Sequence, residues 1–342
     1  MGKQVSIARN RHAAKFIVLS LLSATSLFWQ GCKPGAIRIM PGKFPEELVY
    51  VKSEDDIVNG GAIFTAPKDS AKSIAIIWIH GWGVNFYSPT YVMIGRALAE
   101  RNYTCIAGNT RMHDIGNVEA WRGEKRIRGG GYWGIASEEV RDLAAWIDFA
   151  ETRGFKQVVL VGHSAGWAAV RSYQAERQDP RVVGVVLASG QVRADTSPAD
   201  PDQLAQATRM VAEGRGDDLI RIPKRSFPSF ISAATFMDTV NTPPEFKDFF
   251  GIQTPNPAVT RIHCPLLAFF GTKDDVGTEA DLELLKSSVQ RQPSGPSRIN
   301  TVMIKNADHM YAGEEAQVAQ IITQWANSLI TPEKGKSNSL GK

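Results

Sequence analysis

Cysteine is scarce, with three in 342 residues, and so is histidine, with six. No CxxC pair and no closely spaced His cluster occurs, which excludes a disulfide scaffold and predicts no metal site and no cofactor. Cys105 and Cys264 lie beside apolar runs and are expected as buried thiols. No apolar stretch reaches the roughly 20 residues of a membrane-spanning helix, and no internal repeat is visible. Charge of one sign is also lacking: 39 basic residues face 35 acidic ones, a net charge of +4. With no Lys/Arg stripe interleaved with aromatics, a nucleic-acid partner is excluded. What remains, 43% apolar and 22% charged residues, is enough for one sizeable core.

The first 32 residues read as an export signal. Lys3, Arg9, Arg11 and Lys15 precede an apolar run over 16–29, too short to span a bilayer. The run ends in Trp29-Gln30-Gly31-Cys32, which resembles a bacterial lipoprotein cleavage box, with Trp29 where Leu is usual. Two readings stay open: lipidation of Cys32, giving membrane attachment, or a plain secretory signal. The expected location is accordingly periplasmic, or membrane-anchored as a bacterial lipoprotein. The tail over 331–342, rich in Lys, Ser and Gly, is expected to be disordered.

Between these ends, over 45–330, short apolar runs alternate with helical patterns, which predicts an α/β fold with a mostly parallel sheet flanked by helices. Residues 48–52 and 62–65, separated by Asn59-Gly60-Gly61 as the turn, are expected as an opening hairpin or meander. Buried strands are predicted at 74–79, 104–107, 158–161, 182–187, 266–270 and 301–304. A helix is expected to start at Ser137 as N-cap, burying Val140, Leu143, Ala144 and Ile147. Another carries Val318, Ile321, Ile322 and Trp325 at helical spacing.

The strongest local signal is Gly162-His163-Ser164-Ala165-Gly166, placed after the apolar run 158–161 and before a stretch of small residues. This resembles the nucleophile elbow of the α/β-hydrolase superfamily, a strained strand-to-helix turn that exposes the serine hydroxyl above the sheet. The bland alternative is an ordinary turn with an exposed serine. Further matches follow in the superfamily's order of Ser, acid, His. Gly271-Thr272-Lys273-Asp274-Asp275 resembles the acid loop and favours Asp274, with Asp275 as the alternative. Asn306-Ala307-Asp308-His309 resembles the histidine loop, with Asp308 expected to cap it. His80-Gly81-Trp82-Gly83 is similar to an HGxG oxyanion loop.

On that resemblance the chain has the α/β-hydrolase fold with an inserted helical cap over 191–262, and Ser164, Asp274 and His309 form a catalytic triad. The amides of Trp82 and Ala165 would form the oxyanion hole, His80 would brace the loop, and His163 would pack. Arg111 and His113, beyond the strand at 104–107, are expected to touch substrate, the alternative being a salt-bridged turn. Residues 126–134 are expected as a mobile aromatic loop. Phe227, Phe230, Phe236, Phe246, Phe249 and Phe250 would line an acyl pocket or pack the cap. The implied activity is hydrolysis of a small-molecule acyl substrate, above all a carboxylic ester. Lactonase, peptidase and acyltransferase activities share the triad, and a catalytically silent surface binding protein is the alternative of another class.

Overall fold

The computed structural model describes residues 42–190, 199–222 and 228–330. The expected signal over 1–32, Cys32, the tail over 331–342 and Phe227 lie outside the described residues. Among the described residues, no helix is long and apolar enough to cross a membrane.

Strands β1 (Glu46–Lys52) and β2 (Val58–Phe64) open the chain as an antiparallel pair. Then come β3 (Ile74–Ile79), α1 (Pro89–Glu100) and β4 (Cys105–Gly108). A separate hairpin of β5 (Asn117–Arg122) and β6 (Lys125–Gly129) leads to α2 (Glu139–Thr152). β7 (Gln157–His163), α3 (Gly166–Arg177) and β8 (Val182–Ala188) follow.

After β8 the chain leaves the sheet. It builds α4 (Pro201–Ala212), the short pair β9 (Leu219–Arg221) and β10 (Phe230–Ser232), α5 (Ala233–Asn241) and α6 (Pro244–Lys247). Its small core comprises Ala207, Met210, Ile220, Ile231, Ala233 and Phe236. The insertion seats on the stretch after β6: Ser232 N–H donates to the Tyr132 carbonyl at 2.8 Å and Thr235 Oγ1 to the Gly134 carbonyl at 3.1 Å. The sheet then resumes with β11 (Leu266–Gly271), α7 (Glu279–Gln290), β12 (Ile299–Ile304) and α8 (Glu315–Ile330).

The eight-stranded sheet has the order β1-β2-β4-β3-β7-β8-β11-β12. All its pairings from β4 to β12 are parallel. The alternation of side chains along a strand explains the two cores. Along β3, Ile74, Ile76 and Trp78 face α1 and α8, while Ala75, Ile77 and Ile79 face α2 and α3. Because both faces are covered, every residue of β3 is buried.

Three local expectations need correction. Asn59-Gly60-Gly61 is not a turn but the middle of β2. A Cβ on Gly61 would stand 2.4 Å from the Trp146 ring, so the glycine is there to let that indole lie on the strand. The actual turn is at 53–57, where Asp56 takes a φ of 66°. The first part of the expected loop over 126–134, residues 126–129, is strand β6, paired with β5. Lastly, α2 begins at Glu139, because Ser137 sits in a 3₁₀ turn and donates its hydroxyl to Asp238 of α5.

Candidate active site

Three strand ends on the carboxyl edge of the sheet converge. β7 ends in the turn to α3 with Ser164 at φ +55°, a left-handed conformation that raises its side chain off the turn. The glycines on either side are sterically required. A Cβ at 162 would stand 2.2 Å from the Gly166 carbonyl, and one at 166 would stand 2.6 Å from the His80 carbonyl. Helix and strand therefore approach closely at this turn.

The loop after β12 brings His309 to this hydroxyl, with Nε2 3.1 Å from Ser164 Oγ. The loop after β11 brings Asp274 to the other ring nitrogen, with Oδ1 3.1 Å from Nδ1. The Asp274 carboxylate is fully buried, whereas the His309 side chain keeps 29% exposure. Burial pushes the Asp274 carboxyl up, but hydrogen bonds from His309, Ser189 Oγ and the Val276 amide outweigh it and hold the group below its ordinary range. It is thus an anion aimed at an imidazole. Asp275 is exposed, and Asp308 accepts from the Ala312 amide at 3.0 Å within its own loop.

A second line of bonds supports these loops. The Nε2–H of buried His163 donates to the His309 carbonyl at 2.8 Å, so its Nδ1 is the acceptor of the Tyr91 hydroxyl at 2.6 Å. Tyr91 in turn accepts from the Gly81 amide at 3.3 Å. Burial, with repulsion from His309, drives His163 down to about 3, so it stays neutral. Ser189, the donor to Asp274, went unforeseen: an isolated serine after a strand carries no sequence signal.

His80 fixes the neighbouring loop. Its Nε2 accepts the Thr110 amide at 3.0 Å, which leaves Nδ1–H to donate to the Gly81 carbonyl at 2.6 Å. Burial lowers its titration to about 4, so this tautomer persists at neutral pH. Because a trans peptide points its C=O and N–H in opposite directions, clamping Gly81 O sets the direction of the Trp82 amide. The Ala165 amide lies at the start of α3, where helical N–H groups lack intrahelical acceptors. Trp82, Ala165 and Ser164 share a cavity of about 200 Å³.

Arg111 and His113 do not reach that cavity. The guanidinium of Arg111 is buried and bound to Asp142, Asp55 and Glu138, because three carboxylates converge on it from α2 and the turns beside it. His113 bonds Asp114 at 2.9 Å and lines surface grooves beside the β5–β6 hairpin. The salt-bridged turn is the correct reading for Arg111. Of the phenylalanines, Phe249 lines the cavity, Phe250 packs on Trp167, Phe236 lies in the insertion's core, and Phe230 is exposed. Among the described residues, no three His, Cys, Asp or Glu side chains are grouped so as to hold a metal ion.

A group ordered in this way can remove a proton from Ser164, store it on an imidazole held by a buried anion, and return it. Solved structures with the same architecture are plentiful. One is a thermostable carboxyl esterase from Bacillus coagulans in complex with glycerol, with TM-score 0.58, 14% identity, and 84% of this chain and 100% of that one covered. Est1E from Butyrivibrio proteoclasticus gives TM-score 0.54 and 15% identity over 83% and 98% of the two chains. The esterase domain of a Rhodothermus marinus protein gives 0.51 and 16% over 83% and 99%. At these identities the likeness is one of fold. No curated protein matches the sequence. The sequence pattern of the Alpha/beta hydrolase family, however, matches residues 76–321, spanning the elbow, the acid loop and the histidine loop, and the chain belongs to that family.

Proposed function

We propose that the protein is a serine hydrolase that cleaves a carboxylic ester of small or medium size through an acyl-enzyme. The observation that carries this reading is the unbroken line from Ser164 Oγ through His309 to Asp274, with both contacts at 3.1 Å. His309 Nε2 takes the hydroxyl proton as Ser164 attacks the acyl carbon, and Asp274 stabilises the imidazolium. The amides of Trp82 and Ala165 receive the oxyanion. His309 then protonates the departing alcohol, and a water activated by the same ring cleaves the acyl-enzyme.

The insertion between β8 and β11 acts as a cap, with Phe249 as its contribution to the cavity wall. The test is a panel of chromogenic esters of increasing acyl length, with lactones and aminoacyl amides alongside. Turnover of short esters supports the proposal. Turnover of lactones or amides alone would move the same triad to another bond, and inertness of the folded protein toward all of them would refute it.

Export is also proposed, on the basic residues and short apolar run before Cys32. Full-length protein with an intact N-terminus in the cytosolic fraction would contradict it. Release from membranes by Cys32→Ser would establish lipidation.

A further inference from the structure

One titratable group in the cavity has no part in the chemistry above. Glu139, the first residue of α2, is 8% exposed and lines the cavity shared by Ser164, Trp82 and Ala165. Met112, Ala136, Trp167 and Phe249 give the same cavity an apolar wall. Its Oε1 accepts the Thr110 hydroxyl at 2.6 Å. That bond satisfies one oxygen with a neutral donor. A buried carboxylate ordinarily needs a cation, and among the described residues no Lys, Arg or His forms an ion pair with Glu139. The two nearby arginines are consumed: Arg111 by Asp55, Glu138 and Asp142, and Arg141 by Glu54, Asp55 and Glu138. His80 is neutral, and the Nε2 it turns toward Thr110 is occupied by that residue's amide.

The surroundings add negative rather than positive charge. Asp142 lies one turn along α2, and Asp238 arrives from α5 of the insertion, bonded to Ser137. Burial first, then the fields of Asp142 and Asp238, push the Glu139 carboxyl up to about 8 against the Thr110 bond and the attraction of Arg111, so at neutral pH the group is mostly the neutral acid, and it gives up its proton to become a carboxylate when a cation arrives beside it as counterion. The partial positive charge at the start of α2 is shared among Glu138, Glu139 and Asp142 and does not replace a counterion.

We infer that Glu139 is the cation-recognising residue of this cavity: the portion of the substrate lying beside Ser164 carries a protonated amine, which the Glu139 carboxylate receives. The substrate class is then an ester of a short amino-substituted acid. The fit is one of size and charge, since the cavity is small and apolar over most of its wall, and Glu139 is the acidic residue in its lining. As a statement about substrate it rests on the proposed hydrolase activity. As a statement about binding it does not.

The test compares two isosteric esters, 4-nitrophenyl 3-aminopropanoate and 4-nitrophenyl butanoate, and measures butylammonium binding by calorimetry on the same proteins. In the wild type the amino ester has the higher kcat/KM, and Glu139→Gln, which keeps an acceptor for Thr110, lowers the amino-to-butanoate ratio about tenfold or more, the scale of a hydrogen bond between charged groups. Butylammonium binds the wild type more tightly than the Gln variant. Glu139→Asp, which keeps the charge on a shorter arm, gives an intermediate ratio and decides the matter should the Gln variant not fold. A ratio unchanged by these substitutions overturns the inference and leaves the hydrolase reading intact. Failure to hydrolyse either ester would count against the hydrolase reading instead. Butylammonium would then decide the inference alone, with tighter binding to the wild type supporting it and equal or absent binding overturning it.

Discussion

His163 donates through Nε2 to the main-chain carbonyl of His309 at 2.8 Å, so the residue beside the proposed nucleophile holds the loop that carries the proposed base. The same imidazole accepts from Tyr91, and Tyr91 accepts from Gly81, which ties the elbow, the histidine loop and the HGxG loop into one hydrogen-bonded unit. Neither side chain of this relay titrates near neutrality. Burial drives His163 down and the Tyr91 hydroxyl up.

Tyr91→Phe tests that unit. It removes one oxygen and leaves His163 Nδ1 and the Gly81 amide buried without their partner, at a cost of about 1–3 kcal/mol. Loosening two loops that must meet at Ser164 should also lower kcat/KM by roughly 10- to 100-fold. Urea unfolding and ester kinetics check both. Stability and activity equal to wild type would mean that the three loops hold their positions independently.

Asp274→Asn keeps the shape of the side chain and removes the charge facing His309 Nδ1. In serine proteases the corresponding change lowers kcat by about 10⁴-fold, and a loss of that order is expected here, measured on a short ester. Asp275→Asn, at an exposed position, should cost little. The reverse pattern would shift the acid by one residue.

The site was legible in the sequence where backbone strain or close approach demands glycine at fixed offsets. Gly162 and Gly166 bracket Ser164 because no Cβ fits at either place, and that requirement is written into the local sequence. Asp274 and His309 follow strands whose apolar runs are equally plain. The sequence misled where the cause lies far along the chain. Gly61 looks like a turn residue, yet it serves Trp146, a residue of α2. Arg111 looks like a substrate contact, yet Asp55 and Asp142 claim it from remote segments. Glu139 reads as an ordinary acid in a helix's first turn, and only the fold places it against the cavity.

Glu139 also makes stability depend on pH in a defined direction. Its carboxyl titrates near 8 in the folded protein against 4.5 for the unperturbed group, so the folded state binds the proton more tightly. Below 4.5 the group is neutral in both states and has no effect. As pH rises from there to 8, the unfolded chain ionises first and stability falls, by about 1.4 kcal/mol for each pH unit crossed. Glu139→Gln removes this penalty. Its urea midpoint should match wild type near pH 4, below the unperturbed value, and exceed it increasingly toward about pH 8.5, by the equivalent of a few kcal/mol. Parallel curves would show that the carboxyl is not held neutral by its surroundings.

Every assignment at the site depends on Ser164 being a nucleophile activated by His309, and covalent labelling reads that property without intermediate steps. A fluorophosphonate reacts only with a serine whose proton is taken as it attacks, and mass spectrometry locates the adduct. In the wild-type protein one phosphonylated residue is expected, Ser164. No adduct should form in Ser164→Ala, and labelling should slow by orders of magnitude in folded His309→Ala. A folded wild-type protein that takes up no label, or one that labels equally well after Ser164→Ala, would rule this mechanism out.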